Sequence, residues 1–174
     1  MSLHIALMGN PNTGKTTIFN ALTGMNQHVG NWPGKTVEKK EGVFTHNGRE
    51  IHLIDLPGTY SLNAFAPDEA VARDYLLDDA PDAVIVVLDA SNLERNLFLA
   101  VQVLELGVPT LLALNMMDTA AARNVKINTA VLSQRLNVPI VTTIARKENG
   151  MDALKTAVVA LAEQGVVTGG IHHE

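Results

Sequence analysis

The stretch "GNPNTGKT", Gly9 to Thr16, spaces two glycines, a lysine and a hydroxyl as G-x-x-x-x-G-K-[ST]. That spacing suits a phosphate chain. The glycines let the backbone from Asn10 through Pro11, Asn12 and Thr13 to Gly14 curl with its free amides turned inward. Lys15 then neutralises the β- and γ-phosphates, and the Thr16 hydroxyl can ligate Mg²⁺. Thr17 continues the helix whose positive dipole end faces the anion. A glycine-rich turn with a surface lysine is the bland alternative, but every fixed position is filled between a strand and a helix.

Asp55-Leu56-Pro57-Gly58 has the Asp-x-x-Gly spacing of a loop that senses the terminal phosphate. Asp55 would hold Mg²⁺ through water, and the Gly58 amide would meet the γ-phosphate. Many GTPases follow this glycine with a glutamine that holds the attacking water. Here Thr59 and Tyr60 follow, so the water needs another holder.

Asn115-Met116-Met117-Asp118 matches N-K-x-D with Met116 in the lysine's place. A carboxylate there accepts both N1–H and N2–H of guanine, a pairing that adenine does not offer. Leaving such groups unpaired gives discrimination on the order of 10⁴. Met116 is expected to lie along the base. In "TTIARKENG", only a backbone amide, that of Ala145, can reach guanine O6, because Ile144 lacks a hydroxyl to donate. Thr36 is the candidate for a hydroxyl that closes on Mg²⁺ in the triphosphate state. Trp32, the sole tryptophan, stands near Gly30, Pro33 and Gly34. It reads either as a plug holding a loop down or as part of a loop whose carbonyls approach something.

The elements that must position these residues follow from hydrophobic spacing. "LHIALM", "DAVIVVLD", "PTLLALN" and "PIVTTI" read as strands. "TVEKKEGVFTH" and "EIHLID" flank Asn47-Gly48, a hairpin signal placing an antiparallel pair at one sheet edge. Helices are expected over 15–23, 67–79, 92–107 and 150–164, with Ser91 and Glu94 as a capping box. The count is six strands and five helices, the four bounded above and one without assigned bounds, in an α/β three-layer fold with a mostly parallel sheet. Residues 1–165 form one domain, and 166–174, ending His172-His173-Glu174, are expected to fray.

Net charge is -5, so a broad nucleic-acid footprint is not expected. The absence of cysteine excludes a thiolate nucleophile, a disulfide framework and Cys-ligated zinc. No signal peptide is visible, and no apolar run approaches the roughly 20 residues that span a bilayer. This chain alone is expected to be soluble.

"GNPNTGKTTIFNALTG", "VGNWPGKTVEKKEG", "DLPGTYSL", "DASNLERNL" and "ALNMMD" closely resemble the amino-terminal G domain of the FeoB family of prokaryotic ferrous-iron transporters. The resemblance covers roughly residues 3 to 163. It implies a Ras-like P-loop GTPase fold and Mg²⁺-dependent hydrolysis of GTP to GDP and phosphate, coupled to Fe²⁺ uptake. The G domain would lie at the cytoplasmic face of the inner membrane, followed by helical and membrane domains absent from this chain. Phosphate and Mg²⁺ roles fall on Gly14, Lys15, Thr16, Thr36 and Asp55, and base recognition on Asn115 and Asp118. The resemblance also implies K⁺ bound by Asn12 and by carbonyls of Gly30 and Trp32. G-domain self-association is left open. Three rivals are weighed: an RNA-binding GTPase, which needs a basic patch; a small-molecule kinase, which Asp118 disfavours; and a switch without turnover, which only kinetics separates.

Overall fold

The computed structural model describes residues 2–169, with the side chains of 166–169 left aside. The chain runs β1 (Leu3–Gly9), α1 (Lys15–Thr23), β2 (Gln27–Asn31), β3 (Glu38–His46), β4 (Arg49–Asp55) and α2 (Pro67–Asp74). It continues through β5 (Ala83–Asp89), α3 (Leu93–Glu105), β6 (Thr110–Asn115), α4 (Met117–Ala122), α5 (Thr129–Leu136), β7 (Ile140–Thr142) and α6 (Met151–Gly169). The sheet order is β2-β3-β4-β1-β5-β6-β7. β3 is antiparallel to both its neighbours, and the pairs from β4 through β7 are parallel.

Alternation in the strands builds two cores. Leu3, Ile5 and Leu7 of β1 pack with Ile18 and Phe19 of α1 and Leu154 and Val158 of α6. Ala6 and Met8 point to the other face, against Val71 of α2 and Leu99 and Val103 of α3. β5 is buried on both faces, which explains its unbroken run of apolar residues. From β1 the chain crosses to β4 on one side and β5 on the other. The crevice at the carboxyl ends of these strands is where open α/β sheets bind ligands.

The sheet has seven strands, not the expected six, and β3 is not its edge. β2 adds outside β3, pairing Gly30 with Lys39. All five β2 residues are exposed, so no burial alternation marked it as a strand. Among the described residues there are six α-helices rather than five. α4 is only six residues long and α5 buries none of its side chains, so neither carries a strong periodic signal. The helix over 67–79 is α-helical to Asp74 and π-helical from Tyr75 to Asp79. The Ser91–Glu94 capping box does not form. Asp89 instead accepts from the Ser91 amide and hydroxyl at 2.8 and 2.7 Å, shaping a 3₁₀ turn over Ala90–Asn92 before α3. α6 continues to Gly169, past the boundary expected at 165. His172, His173 and Glu174 lie outside the described residues. Among those described, no helix is long and apolar enough to cross a membrane.

Candidate functional site

The P-loop, the Asp55 loop, the Asn115–Asp118 segment and the Ala145 loop follow β1, β4, β6 and β7, and so gather at the carboxyl-end edge of the sheet. The P-loop leaves β1 at Gly9 and enters α1 at Lys15. A side chain on Gly9 would drive a Cβ to 2.7 Å from the Val87 carbonyl oxygen. Gly14 has φ +89°, and a Cβ there would lie 2.2 Å from Asn115 Nδ2. Asn12 at the tip also adopts a left-handed φ of 67°. The Thr13 hydroxyl donates to the Asn10 carbonyl at 3.0 Å, closing the loop on itself. α1 has no side-chain cap and no acid in its first turn, and a helix N-terminus favours an anion. Thr16 and Thr17 are exposed on this first turn.

Asp55 ends β4 and is buried, and Lys15 reaches across to form an ion pair with it. Lys15 also donates to the Leu56 carbonyl at 2.8 Å. Burial pushes the Asp55 carboxyl above its ordinary value, while the Lys15 charge and hydrogen bond pull it back. The site thus already concentrates a cation on this carboxylate. Asp55 and Thr16, two hard oxygen donors beside the P-loop, fit the chemistry of Mg²⁺.

The loop after Asp55 lies directly on the P-loop. The Thr59 amide donates to the Gly9 carbonyl at 3.2 Å, and a Cβ on Gly58 would lie 3.5 Å from Pro11. The Thr59 hydroxyl is buried without a hydrogen-bond partner among the described residues. Tyr60 turns outward, with the Arg95 guanidinium 4.9 Å from its ring centre. In this conformation neither side chain stands in for the water-holding glutamine.

At the base end, Asn115 ties three segments together. Its Nδ2 donates to the Thr13 carbonyl at 3.0 Å. Its Oδ1 accepts from the Thr143 hydroxyl and the Ala145 amide, both at 3.0 Å. The Ala145 amide expected to meet guanine O6 is engaged by Asn115 here. A cavity of about 160 Å³ lies beside this tie, lined in part by Gly14, Asn115, Met116, Asp118, Ala145 and Arg146. Met116 adopts a left-handed φ of 61° and opens α4. Asp118, in the first turn of α4, is ion-paired with Arg146. Burial acts to raise the Asp118 carboxyl, but the Arg146 hydrogen bond, the Thr119 amide and the Arg146 charge outweigh it and hold the value low. Thr143 and Arg146 were not singled out from sequence. The only available signal was their place in the "TTIARKENG" loop.

The Gly30–Trp32 loop is placed differently. Gly30 lies in edge strand β2, three strands from the β1 end that carries Asn12. The Trp32 carbonyl accepts from the Lys35 amide at 3.0 Å. Its ring is buried, 5.6 Å from Tyr75 in an edge-on contact, with Lys39 Nζ 4.6 Å above it. The ring is a plug, and Gly30 stands on the outermost strand of the sheet. The β3 register sets Lys40 opposite Asp55, so Thr36, just before β3, lies at the same end of the sheet as Asp55. It is exposed there.

A family model described as "Ferrous iron transport protein B" matches residues 3–158. The Fe(2+) transporter FeoB of Escherichia coli K12 is 50% identical over 160 residues, which cover 90% of this chain and 21% of that protein. The relative from Salmonella typhimurium LT2 is 51% identical with the same coverage. The chain therefore spans about a fifth of these curated relatives. The FeoB G-domain structure from Methanococcus jannaschii superposes with a TM-score of 0.84 at 46% identity, covering 93% of this chain and 98% of that one. The cytosolic domain of the T. maritima FeoB iron transporter, in a GDP form, reaches 0.90 at 48% identity, covering 93% and 64% respectively. The P-loop, the Asp55 loop and the Asn115–Asp118 pocket stand together on a fold shared with those G domains, and the chain belongs to the FeoB family of ferrous iron transport proteins.

Proposed function

We propose that this domain binds GTP with Mg²⁺, hydrolyses it to GDP and phosphate, and acts as the switching module of a Fe²⁺ transporter at the cytoplasmic face of the membrane. The observation that carries the reading is the convergence of Lys15 and Asp55 with the Asn115–Asp118 cavity at one edge of the sheet. A P-loop alone is shared by many nucleotide enzymes. A carboxylate in the adjoining base cavity is what selects guanine.

On nucleotide binding, Lys15 would exchange Asp55 for the β- and γ-phosphates, and the P-loop amides would wrap them. Mg²⁺, held by Thr16 and Asp55, would neutralise charge on the phosphates. Freed from Lys15, Asp55 would be left to help hold that ion. The Gly58 amide would turn to the γ-phosphate, and Thr36 would close from the start of β3. With the Thr59 hydroxyl buried, the attacking water would be oriented by backbone of the Thr36 and Gly58 loops. Phosphoryl transfer depends mostly on positioning and charge, so this suffices in principle.

K⁺ is part of the proposal through the oxygens of Asn12, Gly30 and Trp32, and it requires the β2 loop to leave the sheet edge and close on the P-loop. The test is phosphate release from Mg-GTP in matched KCl and NaCl. Turnover about a hundredfold faster in K⁺ supports cation assistance. Equal rates remove K⁺ from the reading, and no release in either salt removes hydrolysis. The helical and membrane domains of relatives are the proposed partners in the full-length protein.

A further inference from the structure

We propose that Arg146 is a positioning residue that holds Asp118 for base reading, supplying from the next turn the support that Ile144 is unable to give. The inference rests on the guanine-nucleotide reading above. Asp118 must present both carboxylate oxygens, in one plane, to the N1–H and N2–H of a guanine edge. A carboxylate in an open cavity rotates about its last bond, and rotation costs the pair its geometry. Arg146 Nη2 bonds Asp118 Oδ2 and restricts that rotation. The oxygen retains a second lone pair, so the Arg146 bond and a base bond are compatible there.

Arg146 is itself well placed for the task. The Asn115 side chain accepts from the Ala145 amide and the Thr143 hydroxyl, which fixes the turn one residue before Arg146. The guanidinium is planar and always charged, so it both orients the carboxylate and favours its ionised form. Arg146 lines the same cavity as Met116 and Asp118. Its side chain is 70% exposed, which makes it dispensable to the core. Lys147 and Glu148 share its turn, but among the described contacts it is Arg146 that pairs with Asp118.

The test is titration of the whole chain with a fluorescent GDP, followed by competition with unlabelled GDP and inosine diphosphate, which lacks the N2 amino group. Arg146→Ala is expected to weaken GDP about tenfold, the worth of a hydrogen bond to a charged group. Inosine diphosphate should weaken less, so the ratio between the two narrows. Arg146→Lys should restore part of both, with an unchanged melting temperature in each variant. Unchanged or tighter GDP binding in Arg146→Ala, with the wild-type ratio kept, overturns the assignment and makes Arg146 a bystander or an obstacle to the base. If the wild type itself shows no saturable GDP binding, the guanine reading falls and this inference falls with it.

Discussion

At the phosphate end of the cleft the cradle is backbone within one short loop; at the base end it is side chains brought from far apart. Gly9 to Lys15 form their turn from neighbours, and the left-handed φ of Asn12 and Gly14 is a local property. Asn115 instead holds Thr13 across 102 positions, Thr143 across 28 and Ala145 across 30. Arg146 reaches Asp118 across 28. The phosphate end therefore tolerates little change within its own few residues. The base end depends on how well several loops are docked, and its affinity can be adjusted from positions that never touch phosphate. The two ends meet at Asn115, whose Nδ2 donates to the Thr13 carbonyl and stands against Gly14.

Lys15→Ala tests the phosphate end and should have the largest effect. The P-loop loses its side-chain cation, and nucleotide affinity is expected to fall at least about a hundredfold. A fluorescent-nucleotide titration measures this. Near-native affinity would show that the lysine–Asp55 pair is structural rather than poised for phosphate.

Asn115→Ala should break the join between the two ends. It strips partners from the buried Thr143 hydroxyl and Ala145 amide at once, at a cost of about 3 kcal/mol. The melting temperature should drop on the order of 10 °C for a chain of this size, with GDP affinity falling alongside. A loss of affinity without a drop in melting temperature would mean that Asn115 reads the base and does not bind the loops together.

Asp55→Asn gives the smallest effect, in stability, and its sign is informative. Burial raises the folded carboxyl above its ordinary value of 3.8, with Lys15 only partly offsetting it. The folded chain then binds this proton more tightly than the unfolded chain. Asp55 accordingly stabilises fully below pH 3.8 and loses that contribution as pH rises through the folded value. Asn carries no such charge, so the variant should melt slightly higher than wild type at pH 7, and the gap should close as pH falls below the ordinary carboxylate value. Mg²⁺-dependent nucleotide binding should weaken at the same time. A variant that melts lower at pH 7 would show that the Lys15–Asp55 pair outweighs the burial of the charge.

The P-loop, the Asp55 loop, the N-M-M-D segment and the strands that deliver them were legible in the sequence. Each is specified by neighbours: a glycine where φ is positive, an unbroken apolar run where a strand has two buried faces, a polar residue at the carboxyl end of a strand. The choice between the two readings of Trp32 was not legible, because it depends on Tyr75, 43 positions later, and on the π-helical turn that presents it. β2 was missed for a related reason. Its exposed residues carry no burial pattern, and it exists because β3 offers it an edge. The same holds for the partner of Asp118. The sequence determined that a carboxylate and a loop would stand at the base cavity, since the motif and the strand before it are local. Only the tertiary structure decided that Arg146 grips that carboxylate and that Lys15 rests on Asp55, because a charge pairs with what the fold brings near it, not with what adjoins it in the chain.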